Sequence, residues 1–136
     1  MKNKVFRYAS LLLIACILLG SVTKVSASTV QPRYVNFANI QASLEYNSST
    51  GKAECTAVAI GSSGVTIKVE CYLKKLSVGS WKTVAQWTAT NYISAGIDQT
   101  CTITSGYTYR LYVYAYALDS NNNVIETAEL TRTLSC

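Results

Sequence analysis

The chain has 136 residues, of which 49% are apolar and 14% charged, with twelve Lys and Arg against seven Asp and Glu. This length is typical of one domain, and the apolar content is too high for a disordered chain. No histidine is present, which excludes Ser-His-Asp and Cys-His nucleophile systems and imidazole metal sites. We therefore expect one compact domain without a cofactor.

Residues 1–27 have the pattern of a secretory signal peptide. Three cations precede an uncharged apolar run over residues 11–19, which is too short to span a bilayer. The small residues 25–27 fit a signal-peptidase site. We predict cleavage after Ala27 and a secreted domain over residues 28–136.

Lipidation at Cys16 is the alternative, because residues 13–16 read Leu-Ile-Ala-Cys and resemble a lipoprotein box. Cleavage before Cys16 would leave only residues 11–15 as the apolar segment. A signal peptide needs a longer one. Cleavage after Ala27 is therefore the favoured interpretation.

Cleavage changes the charge balance of the chain. Four of the twelve basic residues leave with the signal, so eight face the same seven acids. Only Lys74 and Lys75 are adjacent cations, whereas nucleic acids and anionic lipids attract clustered Lys and Arg. We expect no nucleic-acid partner and no membrane partner after cleavage.

Apolar residues of the mature chain recur at every second position, which predicts antiparallel strands with one buried face. Val65 to Leu73 shows the clearest alternation. Turn-forming residues separate seven such segments, at 40–46, 53–59, 65–73, 81–90, 96–104, 107–118 and 124–136. Seven short strands at this spacing predict an all-β sandwich.

Four cysteines remain in the mature chain, at positions 55, 71, 101 and 136. An even number in an exported chain predicts two disulfides. Structural zinc is the rival, but the chain has no C-x-x-C pair. We predict no metal site at these cysteines.

Residues 105–115 read Ser-Gly-Tyr-Thr-Tyr-Arg-Leu-Tyr-Val-Tyr-Ala and resemble the sixth strand of fibronectin type III and related immunoglobulin-like domains. The resemblance implies a seven-stranded antiparallel immunoglobulin-like sandwich. It also implies that Tyr109 is a tyrosine-corner residue, whose hydroxyl bonds back to the chain upstream.

A second resemblance covers nearly the whole mature chain. Segments 32–34, 51–55, 72–87 and 105–110 are similar to a family of small, secreted, uncharacterised proteins of Gram-positive bacteria. That family has no assigned activity, so this resemblance implies export and fold without a function.

Laid out as an immunoglobulin-like sandwich, the chain places all four cysteines toward one pole. Three pairings are possible. We prefer Cys55–Cys71 with Cys101–Cys136, and Cys55–Cys101 is the competing bond. Either version should stabilise the fold by about 2–4 kcal/mol.

Tyrosines at 112, 114 and 116 alternate with small apolar residues and would form an outward row. Such a row suits sugar rings or a protein partner. The favoured alternative is ordinary cross-strand packing, with Lys68, Tyr72 and Lys82 covering the rings.

Trp81 is a further binding candidate. It shares a side with Trp87 only if the strand has no bulge, and one of the two is expected in the core.

Oxygen-bearing side chains recur over residues 119–126, as in calcium loops. The pattern lacks the glycine and glutamate of an EF-hand, and a hairpin loop explains it better.

Seven carboxylates are available for hydrolysis, but sequence supports no pairing among them: Glu45, Glu54, Glu70, Asp98, Asp119, Glu126 and Glu129.

The sequence thus favours a secreted, non-catalytic binding domain for a glycan, a cell-wall polymer or a protein surface. A small secreted effector, antimicrobial or toxin-like, is the second interpretation. A carboxylate-based hydrolase is the third. We name no catalytic residue.

Overall fold

The computed structural model describes residues 33–136, which form one compact unit. The predicted signal peptide, including Cys16, lies outside the described residues. Seven strands follow one another: β1 Phe37–Asn47, β2 Lys52–Gly61, β3 Thr66–Ser77, β4 Ser80–Tyr92, β5 Ser94–Thr102, β6 Thr108–Leu118 and β7 Val124–Ser135. The predicted all-β class and the seven strands are confirmed. Over residues 33–136 no helix is long and apolar enough to cross a membrane.

The strands form two sheets, and every neighbouring pair is antiparallel. One sheet has the order β1-β2-β5, and the other has the order β4-β3-β6-β7. Strands β3 and β6 are therefore central in the four-stranded sheet. Most of their residues have a partner on both flanking strands, which favours packed cross-strand pairs.

The period-two pattern sorts each central strand into a buried and a half-buried face. In β3, Ile67, Val69 and Leu73 are fully buried, and in β6 so are Leu111 and Val113. The same core cluster includes alanines and Ile97 from the three-stranded sheet. Both sheets thus bury their inner faces in one core, which leaves their outer faces available to solvent.

A β-bulge separates the two tryptophans of β4. Leu73 pairs with Ala85 while Lys74 pairs with Thr83, so Val84 is an extra residue without a partner in β3. An extra residue reverses the side to which the following side chains point. Trp87 packs against the core, and Trp81 lies on the outer face beside Arg110. The expectation that one tryptophan is in the core is confirmed.

Tyr109 holds the loop between β5 and β6. Its buried hydroxyl donates to the Thr104 carbonyl at 3.0 Å and accepts from the Thr104 amide at 2.9 Å. This is the upstream bond expected of a tyrosine corner. Both hydrogen bonds are made by a side chain that is 2% exposed, so the loop is fixed to the core.

The four cysteines are free thiols, and no two of them are at disulfide distance. The register gives the reason for Cys55 and Cys101, which are diagonal neighbours because Cys55 lies opposite Gln99 and Cys101 lies opposite Ala53. Cys71 belongs to the other sheet, and Cys136 follows the end of β7. Because no two of these four thiols are at disulfide distance, the expected bonds Cys55–Cys71 and Cys101–Cys136 are not formed in this structure.

Burial makes the inner thiols weak nucleophiles. Desolvation raises the pKa of both Cys55 and Cys71 to about 12, and it also raises the pKa of Cys101. Because the thiolate is the reactive form of cysteine, these groups stay protonated near neutral pH.

Candidate functional site

The outer face of the four-stranded sheet carries an aromatic and cationic surface, which we call the tyrosine face. Its centre is the outward side of β3 and β6, where Tyr72 lies opposite Tyr112 and Glu70 lies opposite Tyr114. Alternation along two adjacent strands places these side chains on one side of the sheet. The members of the face are Lys68, Glu70, Tyr72, Lys74, Trp81, Arg110, Tyr112, Tyr114 and Tyr116.

The predicted tyrosine row is present, and its three rings are half-buried. Tyr114 makes an edge-to-face contact with Tyr72, with ring centroids 6.0 Å apart. Lys68 covers Tyr116, with its ammonium nitrogen 5.6 Å from the ring centroid. Cross-strand packing by Lys68 and Tyr72 is confirmed.

The expectation that Lys82 covers the row is wrong. The bulge at Val84 places Lys82 opposite Lys75, on the alternate side of the strand. Lys74 takes its place, with its ammonium nitrogen 5.0 Å from the Tyr112 ring centroid.

At one end of the face, which we call the neutral end, Glu70 is the central acceptor. Lys68 contacts its carboxylate at 2.6 Å, and the hydroxyls of Tyr72 and Tyr116 donate to it at 3.3 and 3.4 Å. The hydrogen bond from Lys68 is the main cause that lowers the pKa of Glu70. The same bond raises the pKa of Lys68. Both groups are therefore charged near neutral pH and cancel each other.

At the other end, which we call the basic end, Lys74 and Arg110 lie directly opposite each other. The Arg110 guanidinium carbon is 4.4 Å from the centroid of Trp81. Its Nε donates to Thr133 Oγ1 at 3.2 Å, and its Nη1 donates to the Tyr112 hydroxyl at 3.3 Å. These two cations are thus held by aromatic rings and hydroxyls rather than by carboxylates.

Two more lysines occupy the other side of the same strand ends. Lys75 and Lys82 lie opposite each other, and the Lys75 ammonium nitrogen is 3.4 Å from the Tyr107 ring centroid. Within residues 33–136, the single ion pair is Lys68–Glu70. The strand ends around Lys74 therefore carry four cations without a salt bridge.

Sequence reasoning missed this cluster because Arg110 is far along the chain from the three lysines. Lys74 and Arg110 meet only through the register between β3 and β6. The adjacent Lys74-Lys75 pair was the one available signal.

The three-stranded sheet presents a different surface. Glu45 and Glu54 lie opposite each other on β1 and β2 and line a shallow open pocket with Tyr46 and Asn47. Sequence reasoning did not pair these carboxylates. A glycosidase acid is normally held in an apolar, water-poor pocket, whereas both side chains here are exposed. The pairing therefore gives little support to hydrolysis.

The loop between β6 and β7 satisfies its own polar groups. Asp119 accepts hydrogen bonds from the amides of Asn121 and Asn123 at 2.8 and 2.9 Å. The backbone bond from Asn123 is the main cause that lowers the pKa of Asp119. Glu126, at the far end of the candidate calcium segment, accepts from the Val35 and Asn36 amides instead. The hairpin interpretation thus explains these residues.

Within residues 33–136, no three side chains of the metal-ligating types are grouped as a metal site. Comparisons with protein-family models, curated proteins and solved structures gave no match. The side-chain geometry of the tyrosine face therefore carries the functional argument.

Proposed function

We propose that the protein is a secreted, non-catalytic binding domain that holds an extracellular glycan or cell-wall polymer on the tyrosine face. The observation that carries this proposal is the row of three half-buried tyrosine rings on β6, with Tyr72 beside it on β3. Tyrosine and tryptophan rings offer flat contact area with few rotatable bonds, so they lose little entropy on binding.

The contacts among the rings are those of cross-strand packing, and they also hold the rings in place for a ligand. Tyr72 braces Tyr114 edge to face, and Arg110 holds the hydroxyl of Tyr112. Side chains fixed in this way need little reordering when a ligand arrives. An open sheet face suits an extended polymer better than a small molecule, which usually needs a concave pocket.

The proposed architecture is an immunoglobulin-like β-sandwich with fibronectin type III-like strand order. The order β1-β2-β5 opposite β4-β3-β6-β7 supports it. The hydroxyl of Tyr109 bonded to Thr104 supports it independently. In such a fold the outer sheet faces and the loops are the surfaces left for binding.

A direct test is incubation of the purified protein with glycan and peptidoglycan arrays. We expect retention on a subset of glycans, loss of retention for Tyr114→Ala, and preserved retention for Tyr114→Phe, which keeps the ring. Tyr46→Ala is the matched control, because Tyr46 is also half-buried but lies in β1 of the other sheet. Equal loss in both alanine variants would contradict a specific role for the face.

An effector would behave differently in the same experiment. Growth inhibition of a neighbouring strain without retention on any array would favour the antimicrobial or toxin-like alternative. It would also remove the support for a binding domain.

Export and disulfides belong to the same proposal. We propose cleavage after Ala27 and oxidation of the exported domain to Cys55–Cys71 and Cys101–Cys136. An exported chain meets an oxidising environment, and its even number of cysteines allows two bonds. A non-reducing peptide map of protein recovered from the medium tests this. A Cys55–Cys101 peptide would overturn the pairing, and four alkylated thiols would overturn oxidation.

A further inference from the structure

We propose that the basic end of the tyrosine face binds the anionic groups of an acidic polysaccharide. The inference rests on the proposed function and names the class of ligand. It assigns Arg110 and Lys74 as the groups that contact the ligand's carboxylates or other acidic substituents, beside the rings of Trp81 and Tyr112.

The first support is that the fold places like charges together without neutralising them. Lys74 lies opposite Arg110, and Lys75 lies opposite Lys82. Like charges directly opposite on neighbouring strands destabilise a sheet. An anion bound on the tyrosine face would relieve the repulsion between Lys74 and Arg110, so their arrangement favours the bound state over the free one.

The second support is the way in which the cations are held. A ring face attracts a cation through its quadrupole and leaves its charge and its donors intact. A guanidinium has five N–H donors, and Arg110 uses two of them, toward Thr133 and Tyr112. The remaining donors suit a planar anionic group such as a carboxylate.

The third support is the distribution of charge over the molecule. On the outer face of the three-stranded sheet, Glu45, Glu54 and Asp98 are exposed and Lys52 is the nearest cation in the register. The two outer faces therefore differ in sign. A polyanion is steered toward the basic end and away from the opposite sheet.

Aromatic rings at the same place favour a polysaccharide over a simple polyanion. Trp81 and Tyr112 are half-buried, so part of each ring stays in contact with solvent. The row continues from Tyr112 to Tyr114 and Tyr116 along β6. An acidic sugar polymer can thus place its charge against Arg110 and its sugar rings against the tyrosines.

The test uses polygalacturonate as a carboxylated polysaccharide, dextran as a neutral polysaccharide and polyphosphate as an anion without sugars. We expect the protein to bind polygalacturonate more tightly than either of the others. Binding should weaken as salt is added, because exposed charges are screened over about 8 Å at physiological ionic strength. Equal binding of dextran or of polyphosphate would overturn the assignment.

Two variants locate the site. Arg110→Gln should weaken polygalacturonate binding at least about tenfold, as expected for one lost charge-assisted contact. Lys74→Gln should also weaken it, and its folding risk is smaller because within residues 33–136 its ammonium lies over the Tyr112 ring without a salt bridge. Lys52→Gln removes the same charge from the other sheet and should leave binding unchanged. Equal effects of Lys74→Gln and Lys52→Gln would overturn the proposal.

Failure of this inference can be separated from failure of the proposed function. A neutral glycan retained by the wild type and lost in Tyr114→Ala, together with no polygalacturonate binding, would keep the binding face and remove the acidic ligand. No retention on any glycan would remove both.

Discussion

The two ends of the tyrosine face hold cations in opposite ways. At the neutral end, Lys68 is paired with Glu70 at 2.6 Å. At the basic end, Arg110 is stacked against Trp81 and Lys74 against Tyr112. The same sheet face, built on the same two central strands, therefore has one end whose charge is cancelled and one end whose charge is kept.

This difference shows what an aromatic neighbour does that a carboxylate cannot. A carboxylate holds a lysine side chain in place and neutralises its charge. An aromatic ring also holds it in place, but its positive charge remains available to another molecule. Both arrangements order the side chains. Only the second leaves uncompensated positive charge on the surface. We therefore place the ligand's anion at the basic end.

Removing the carboxylate of the neutral end should have the largest effect on stability. Glu70→Ala deletes one ion pair and the acceptor of two tyrosine hydroxyls. We expect a loss of about 1–2 kcal/mol in the free energy of unfolding, measured by urea denaturation. The same variant leaves Lys68 unpaired, so polygalacturonate binding should become tighter.

Glu129→Ala is the control for this change. Glu129 is exposed on the same outer side of the sheet, opposite Tyr114, and contributes no ion pair within residues 33–136. A stability loss as large as that of Glu70→Ala would mean that the network around Glu70 has no special role.

Removing the ring under Arg110 should have a smaller effect on stability. Trp81→Ala deletes the stacking partner of the guanidinium at 4.4 Å, and a cation–ring contact at a partly exposed site contributes about 1 kcal/mol. The unfolding midpoint in urea measures the loss. Trp81→Phe keeps a ring and should recover most of it. If phenylalanine is no better than alanine, stacking does not hold Arg110.

Lowering the pH should change the free energy of unfolding by a still smaller amount, and this change should come from the neutral end. The pKa of Glu70 is lowered in the folded protein by its bond with Lys68, so its stabilising contribution is present above its unfolded pKa. That contribution is lost as the pH falls through the lowered, folded value. The stability difference between wild type and Glu70→Gln should therefore shrink toward zero in acid.

Lys74→Gln gives the comparison for the pH experiment. Within residues 33–136, no carboxylate forms an ion pair with Lys74 or Arg110. The stability difference between wild type and Lys74→Gln should stay nearly constant over the same acid range. A parallel decline in both differences would indicate a global effect of acid rather than titration of Glu70.

Sequence periodicity predicted the strands because burial on one side of a strand repeats every second residue. Residues 65–73 show this rule, and β3 begins at Thr66. The upstream bond of Tyr109 followed from the resemblance of residues 105–115 to a known strand. In both cases the signal is local in the sequence.

Features that depend on register were not predictable in this way. Assigning Lys82 to the tyrosine row failed because one unpaired residue, Val84, reverses the alternation. Pairing of Lys74 with Arg110 required knowledge of which strands are neighbours. The preferred bonds Cys55–Cys71 and Cys101–Cys136 failed for the same kind of reason, since spacing along the chain does not give the distance between thiols on different strands.

The bulge in β4 also makes this surface sensitive to chain length. Val84 sets the side on which Trp81 emerges, so loss of that one residue would exchange the positions of Trp81 and Lys82 relative to the core. A single codon deletion could thus remove the aromatic support of Arg110 without altering any residue of the tyrosine face. In variants of this chain, one insertion or deletion at the bulge could therefore create or abolish binding. A comparison of sequences that considers only amino-acid substitutions would overlook such a change.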